Sequence, residues 1–212
     1  MIFQTNSGNR KVNKGKFIIF EGMDFSGKTT CVKLLVEILN EFGIEHIVTR
    51  EPGGTPEGDM IREILINQPN LNDHERALLF QASRSIHCRE VINPALASGK
   101  WVISDRYIIS SLVHQNEAEK LIRWTTPRLK LTKPDYMVYT SCGYEETLRR
   151  KGLRDEINQL DNEHVTKYHH HSGLLDYYAC LVEDITLKLD TNENLEQLKQ
   201  HLRGFVEKIL GE

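Results

Sequence analysis

Eight consecutive residues, Gly22-Met23-Asp24-Phe25-Ser26-Gly27-Lys28-Thr29, follow the pattern G-x-x-x-x-G-K-T. The chemistry that such a run serves is phosphate binding. Its glycines let successive backbone N–H groups turn toward one point, and a helix starting there adds a partial positive charge. Lys28 reaches the outer phosphates of a nucleoside triphosphate, and the Thr29 hydroxyl can ligate Mg²⁺. Thr30 is counted with the same nucleotide-binding run. Two further clusters carry charge beside apolar strands: Arg50 with Glu51, and Asp105 with Arg106. Phe80 and Arg84 stand four residues apart, on one face of a predicted helix.

The loop has its meaning only between a strand and a helix, and both are legible. Phe17-Ile18-Ile19-Phe20 reads as a buried strand. After the loop, Cys31, Leu34, Leu35, Ile38, Leu39 and Phe42 recur at spacings of three and four, and Gly43 stands where a helix ends. A second strand is expected over 44–49, then a loop, Glu51-Pro52-Gly53-Gly54-Thr55. The pattern over 73–96 predicts a long helix bent near Pro94. Trp101-Val102-Ile103-Ser104 is a third strand, and a fourth and a fifth are expected over 135–139 and 185–189. The last helix places Leu195, Leu198, Leu202, Phe205, Val206 and Ile209 on one side. Strands alternating with helices predict an α/β chain with a parallel five-stranded sheet flanked by helices. In such sheets ligands gather beyond the carboxyl ends of the strands. The glycine loop, Arg50 and the Asp105-Arg106 pair all fall at such ends, so they form one site.

The rest of the composition narrows the field. The chain has 212 residues, 39% hydrophobic and 27% charged, enough for one domain with a buried core. A net charge of -3 argues against a general nucleic-acid binder, but not against a local cationic pocket for a small anion. No apolar run has the length of a membrane span. Cys31, Cys88, Cys142 and Cys180 form no CxxC pair, which reads as a reduced, cytoplasmic thiol set. Residues 1–14 are polar and read as an extension outside a single domain over 15–212. His169-His170-His171 invites a metal reading, but neighbours on a helix point about 100° apart. A solvated helix face is the expectation there.

A phosphate loop alone does not say where the phosphate goes. Thr132-Lys133-Pro134-Asp135 matches a guanine-binding pattern, but it precedes an apolar run instead of following one. It reads as the turn into the fourth strand. Four stretches then carry a resemblance to the thymidylate kinase family, over about 17–210. They are Phe20-Glu21-Gly22-Met23-Asp24; Thr49-Arg50-Glu51-Pro52-Gly53-Gly54-Thr55; Ala77-Leu78-Leu79-Phe80-Gln81-Ala82-Ser83-Arg84; and Val102-Ile103-Ser104-Asp105-Arg106-Tyr107 with Ser110-Ser111-Leu112.

The resemblance implies a P-loop kinase that transfers the terminal phosphoryl group of ATP to dTMP, with Mg²⁺, as a homodimer packed through 73–96 and 110–120. It implies that Arg50 and Arg106 hold the acceptor phosphate, where guanidinium forks offset charge repulsion. Asp24 would meet the sugar near its 3′-hydroxyl. Phe80 would stack on the base, Arg84 would donate to a base oxygen, Ser111 and Gln115 would line the acceptor site, and Asp105 would orient Mg²⁺. Glu51 would brace Arg50. His114 stands where the family carries a tyrosine that helps refuse a 2′-hydroxyl, and Ser141 stands where the family carries an acid.

Transition-state charge needs a cation. Some relatives place an arginine inside the phosphate loop, and Phe25 occupies that position here. The expected source is therefore a short lid over about 147–158, with Arg150 and Arg154 as candidates, Arg149 and Lys151 beside them, and Gly152 as hinge. Two other readings share the scaffold. One is a broader deoxynucleotide or deoxynucleoside kinase; the other is a nucleotide-binding module without catalysis.

Overall fold

The computed structural model describes residues 15–153 and 159–211. The expected extension 1–14 and Arg154 lie outside them. The chain runs through β1 (Phe17–Gly22), α1 (Lys28–Glu41), β2 (His46–Arg50), α2 (Pro56–Asn67) and α3 (Asp73–His87). A π turn, Cys88–Ile92, joins α3 to α4 (Asn93–Ala97). β3 (Trp101–Asp105), α5 (Ile108–His114), α6 (Glu119–Arg128), β4 (Tyr136–Ser141) and α7 (Tyr144–Lys151) follow. α8 (Gln159–Thr166), α9 (Tyr168–Leu181), β5 (Thr186–Asp190) and α10 (Leu195–Gly211) complete the order.

The five strands form one parallel sheet in the order β2-β3-β1-β4-β5. Both faces are covered, which is why β1 reads as an unbroken apolar run. Ile18 and Phe20 face α1 and α10, joining Leu35, Ile38, Leu202 and Val206. Phe17 and Ile19 face the other layer, with Ile92, Leu112, Val113 and Ile122. Register then aligns the strand ends. Phe20 and Arg50 both pair with Asp105, Gly22 pairs with Thr140, and Ser141 pairs with Asp190. Every polar motif therefore emerges at one rim.

Three local expectations need correction. α2 was not foreseen, although its start is marked: Thr55 Oγ1 accepts from Gly58 N at 3.0 Å, and Pro56 opens the helix. The bend in the helix over 73–96 is not made by Pro94 alone. It is the π turn before it, where Asn93 N reaches back to Cys88 O. The expected lid is helical at its start, because 144–151 form α7. α3 starts at Asp73, as expected, and a capping box fixes that start, with Asn72 and Glu75 bonded reciprocally. Asp135, of the rejected guanine motif, receives Phe17 N at 2.8 Å and leads into β4.

Candidate active site

The phosphate loop joins β1 to α1. Gly22 sits at φ 153°, where a Cβ would lie 2.3 Å from Thr140 O, so no side chain fits against β4. Gly27 caps α1 at φ 85°. Lys28 is buried and folds back on its own loop, donating to Met23 O at 2.7 Å and Gly22 O at 3.1 Å. Burial, reinforced by Arg106, pulls its pKa down to about 8 despite Asp24, Asp105 and Glu21 nearby. A cavity of about 470 Å³ opens over this loop. Lys28, Thr29, Thr30, Asp105, Arg150 and Thr191 are among its walls.

Arg150 is not held out in a lid. From α7 it donates to Glu146 at 2.6 Å, Thr191 O at 2.7 Å, Thr191 Oγ1 at 3.0 Å and Phe25 O at 3.3 Å. It is tied between the back of the phosphate loop and the end of β5. Arg149 pairs with Glu146 on the surface.

A second, smaller cavity of about 90 Å³ lies beside the first and shares Asp24, Glu51, Arg62 and Arg106 with it. Phe80, Arg84, His114, Gln115 and His164 also line it. Arg106 stands at the seam. Its backbone is left-handed, at φ 72°, and its N–H meets Phe20 O at 2.9 Å. The guanidinium bonds Ser110 Oγ at 2.8 Å, Gly22 O at 3.2 Å and the carboxylate of Asp24. Burial works against both charges of that pair. Even so, Asp24, with Asp105 and Glu21, raises the pKa of Arg106. In turn Arg106 and His164 hold Asp24 well below the ordinary carboxylate range.

Glu21 aims the helix that carries the far wall. It is fully buried, and its carboxylate receives Tyr107 N at 2.9 Å, Ser110 N at 3.2 Å and Ser110 Oγ at 2.6 Å. A carboxylate on the first turn of α5 suits the helix dipole. Burial nevertheless raises its pKa.

Several expected roles shift. Glu51 does not brace Arg50, which reaches Asp59 at 3.5 Å in an exposed pair. Buried Glu51 instead holds Arg84 at 2.6 Å and His87 at 3.0 Å. Arg84 also bonds Gln81, Tyr107 O and Ser111 Oγ, so four of its five N–H donors are spent within the protein. Ser111 is thereby a support behind Arg84 and not a wall of the cavity. His171, expected on a solvated face, is buried against His114, with Nδ1 atoms 3.1 Å apart. His164 stacks on His114 at 3.7 Å and donates Nδ1–H to Asp24.

Sequence reasoning missed Arg62, Thr191, His164 and His171. Arg62 donates to Pro52 O at 3.2 Å and lines both cavities. Burial, with Arg50 and Arg106 close by, lowers its pKa. Three guanidiniums so placed ask for an anion. Thr191 had one signal, its position just after a strand end. His164 had none.

The thymidylate kinase family model matches residues 20–202. A thymidylate kinase of Legionella pneumophila (strain Corby) is 32% identical over 206 residues, covering 92% of this chain and 96% of its own. One of Clostridium novyi (strain NT) is 34% identical over 207 residues, covering 92% and 100%. One of Caldanaerobacter subterraneus subsp. tengcongensis is 40% identical over 177 residues, covering 81% and 83%.

Proposed function

This chain belongs to the thymidylate kinase family, and on that premise we propose how its two cavities divide the transfer of a phosphoryl group from ATP to dTMP. It is a nucleoside monophosphate kinase, and the observation that carries the assignment of roles is the shared wall. The larger cavity sits over the phosphate loop, the smaller one beside it, and they meet at Asp24, Glu51, Arg62 and Arg106. A donor phosphate over Lys28 and an acceptor phosphate at Arg106 would then face each other across that seam.

In this reading the backbone of 22–28 and Lys28 hold the ATP phosphates. Arg150, Thr191 and Leu198 flank the donor nucleoside. Arg50, Arg62 and Arg106 bind the acceptor phosphate, which favours a monophosphate over a nucleoside as acceptor. Phe80 offers the half-buried ring for a stacked base. Arg84 has one N–H left for a base oxygen, and Gln115 Oε1, buried without a protein partner among the described residues, accepts from a base N–H. Thymine and uracil set a carbonyl oxygen directly beside N3–H; cytosine has no N3–H and sets its amino group beside an acceptor nitrogen.

Thr29 and Asp105 both line the donor cavity and offer a hydroxyl and a carboxylate oxygen, hard donors that fit Mg²⁺. Bound there with ATP, the ion would neutralise charge on the transferring phosphates. Since Arg150 is tied down, we assign the transition-state cation to Arg154, outside the described residues. The expected lid over 147–158 begins as part of α7, and 154–158 lie outside the described residues.

We extend the reading to a homodimer. Residues 108–115 are buried within the fold, so α5 cannot supply the face expected of 110–120. α3, with Leu78 52% exposed, remains. A cytoplasmic site accords with the four free cysteines and the nucleotide substrates. No helix among the described residues is long and apolar enough to cross a membrane.

The test is an acceptor panel of dTMP, dUMP, dCMP, dGMP, UMP and thymidine with ATP and Mg²⁺, followed by ADP release. Turnover with dTMP and dUMP well ahead of the others is expected. Comparable turnover with dCMP or dGMP would sink the base assignment.

A further inference from the structure

Thr191 follows β5 and is buried against the phosphate loop, 165 residues from Ser26 in the chain. Its hydroxyl joins three groups. It accepts from Arg150 Nη1 at 3.0 Å and shares its one proton between Ser26 O at 2.8 Å and Ser141 O at 3.1 Å. Its backbone is committed as well: Thr191 O receives Arg150 Nη2 at 2.7 Å, and Thr191 N–H goes to Ser141 O at 2.8 Å. The residue lines the larger cavity, yet both of its protons are spent within the protein.

What those bonds hold is a peptide of the loop. A peptide unit is planar, so fixing Ser26 O also fixes the direction of the next N–H, that of Gly27. N–H groups of this turn are what a phosphate meets. The other end of Ser26 is anchored too, with its Oγ 2.8 Å from Thr140 Oγ1. Phe25 O is held by Arg150 Nη1 at 3.3 Å, and Arg150 leans on Thr191. Phe25 itself sits at φ 64°, a left-handed backbone that a residue with a side chain keeps only where its surroundings hold it. Earlier in the turn, Gly22 O and Met23 O receive Lys28. That hold ends when Lys28 turns to the phosphates. The anchors on Phe25 and Ser26 come from outside the loop and do not depend on Lys28.

We infer that Thr191 is a positioning residue of the phosphate loop: its hydroxyl orients the Ser26–Gly27 peptide for the phosphates of ATP and does not itself touch the nucleotide. This rests on the reading of the larger cavity as the donor site. The role needs a hydroxyl, because one small atom must donate to Ser26 O while it accepts from Arg150. A methyl in its place keeps the shape that packs on Gly27 but loses both bonds.

The experiment measures Kd by calorimetry for ATP, for inorganic tripolyphosphate and for dTMP, with Mg²⁺ present. Wild type is compared with Thr191→Val and Thr191→Ser. Thr191→Val should weaken ATP and tripolyphosphate by the same factor, about fivefold, the size of one neutral hydrogen bond, and Thr191→Ser should restore both to within about twofold. Affinity for dTMP should not move. A loss for ATP without one for tripolyphosphate would mean that the hydroxyl meets the nucleoside, and would overturn the proposal. So would no loss at all, a loss that serine does not restore, or an equal loss for dTMP, which marks a general loosening of the fold. Lys28→Met tests the premise separately: if it bound ATP and tripolyphosphate as tightly as wild type, the donor reading would fall, and this proposal with it. Thr191→Ala, read the same way, serves if circular dichroism shows that the valine variant has not folded.

Discussion

The two cavities are built in opposite ways. The donor cavity is built around one run of neighbours in sequence, Asp24 to Cys31, which turns once between β1 and α1, and strand-end residues with Arg62, Arg150, Thr191 and the start of α10 close it from afar. The acceptor cavity has no such run. α2, α3, α5 and α8 each contribute one to three side chains to it, and Glu51, Glu21 and Asp24 lock those elements to the strand ends. A site made from one turn resists relocation, because its geometry is that of the turn. A composite site is adjustable one residue at a time. The contrast predicts that changes to groups meeting the transferring phosphates cost turnover, while changes to side chains around either nucleoside cost recognition of that nucleotide.

The largest expected effect tests the first half. Lys28→Ala should lower kcat by about 10³-fold or more with the fold intact, since it removes the buried cation from the phosphate loop. A folded variant that retains a tenth of its turnover would break the comparison. Arg154→Ala should come next, lowering kcat by about 10²-fold with little change in either KM, as a contact made mainly in the transition state does. Arg150→Ala separates the two arginines: it should raise KM for ATP severalfold and leave KM for dTMP within twofold. If Arg150→Ala instead showed the kcat loss, the transition-state role would return to α7.

Phe80→Ala sharpens the second half. Loss of a stacked ring is worth about 1–3 kcal/mol, so KM for dTMP should rise about tenfold or more while KM for ATP holds. Steady-state kinetics with each substrate varied in turn decide this, and equal rises in both KM values would refute the division.

The smallest effect is a proton. Lys28 has a pKa of about 8 in the free protein against 10.5 for an ordinary lysine. Between those values the unfolded chain holds the proton and the folded chain has lost it. Stability of the free protein should therefore rise with pH across that window, relative to Lys28→Met. Phosphates restore the charge, so ATP binding at pH 9 should take up a proton, approaching one per site, and almost none at pH 7. Calorimetry in two buffers of different ionisation enthalpy reads the uptake; equal enthalpies at pH 9 would contradict the lowered pKa.

The same contrast explains what the sequence made legible. Gly22 to Thr29 could be read outright because each role depends on a neighbour in the chain, and the strand ends followed from apolar runs. Arg50 and Arg106 follow from the strand ends, Phe80 and Gln115 from the resemblance, and all four line the cavities, though Arg50 pairs with Asp59 instead of Glu51. What could not be read were partnerships across distance. Glu51 chooses Arg84 and His87, 33 and 36 residues away, because a buried carboxylate needs hydrogen-bond donors from whichever helix packs there. His171 was assigned to solvent because neighbouring histidines diverge on a helix. That rule is sound for the trio, but it leaves one of the three free to face inward, and α5 packs against that one. α2 is hidden in the sequence because the loop glycines Gly53 and Gly54 run directly into its cap at Thr55 and Pro56.

The π turn at Cys88–Ile92 has a consequence in the currency of genes. It holds one residue more than an α-helical path needs and absorbs that residue in one wide turn, so the halves on either side keep their phase. Upstream, Arg84 and His87 point at Glu51; downstream, Ile92 and Leu96 join the core under the sheet. Loss of a single codon within the turn would leave a regular helix with both halves still in place, whereas a one-codon change elsewhere in the helix, with the turn kept, would rotate one half against the other by about 100°. Such a rotation would disengage either the acceptor wall or the core. A change of length should therefore be tolerated at the π turn more readily than on either side of it.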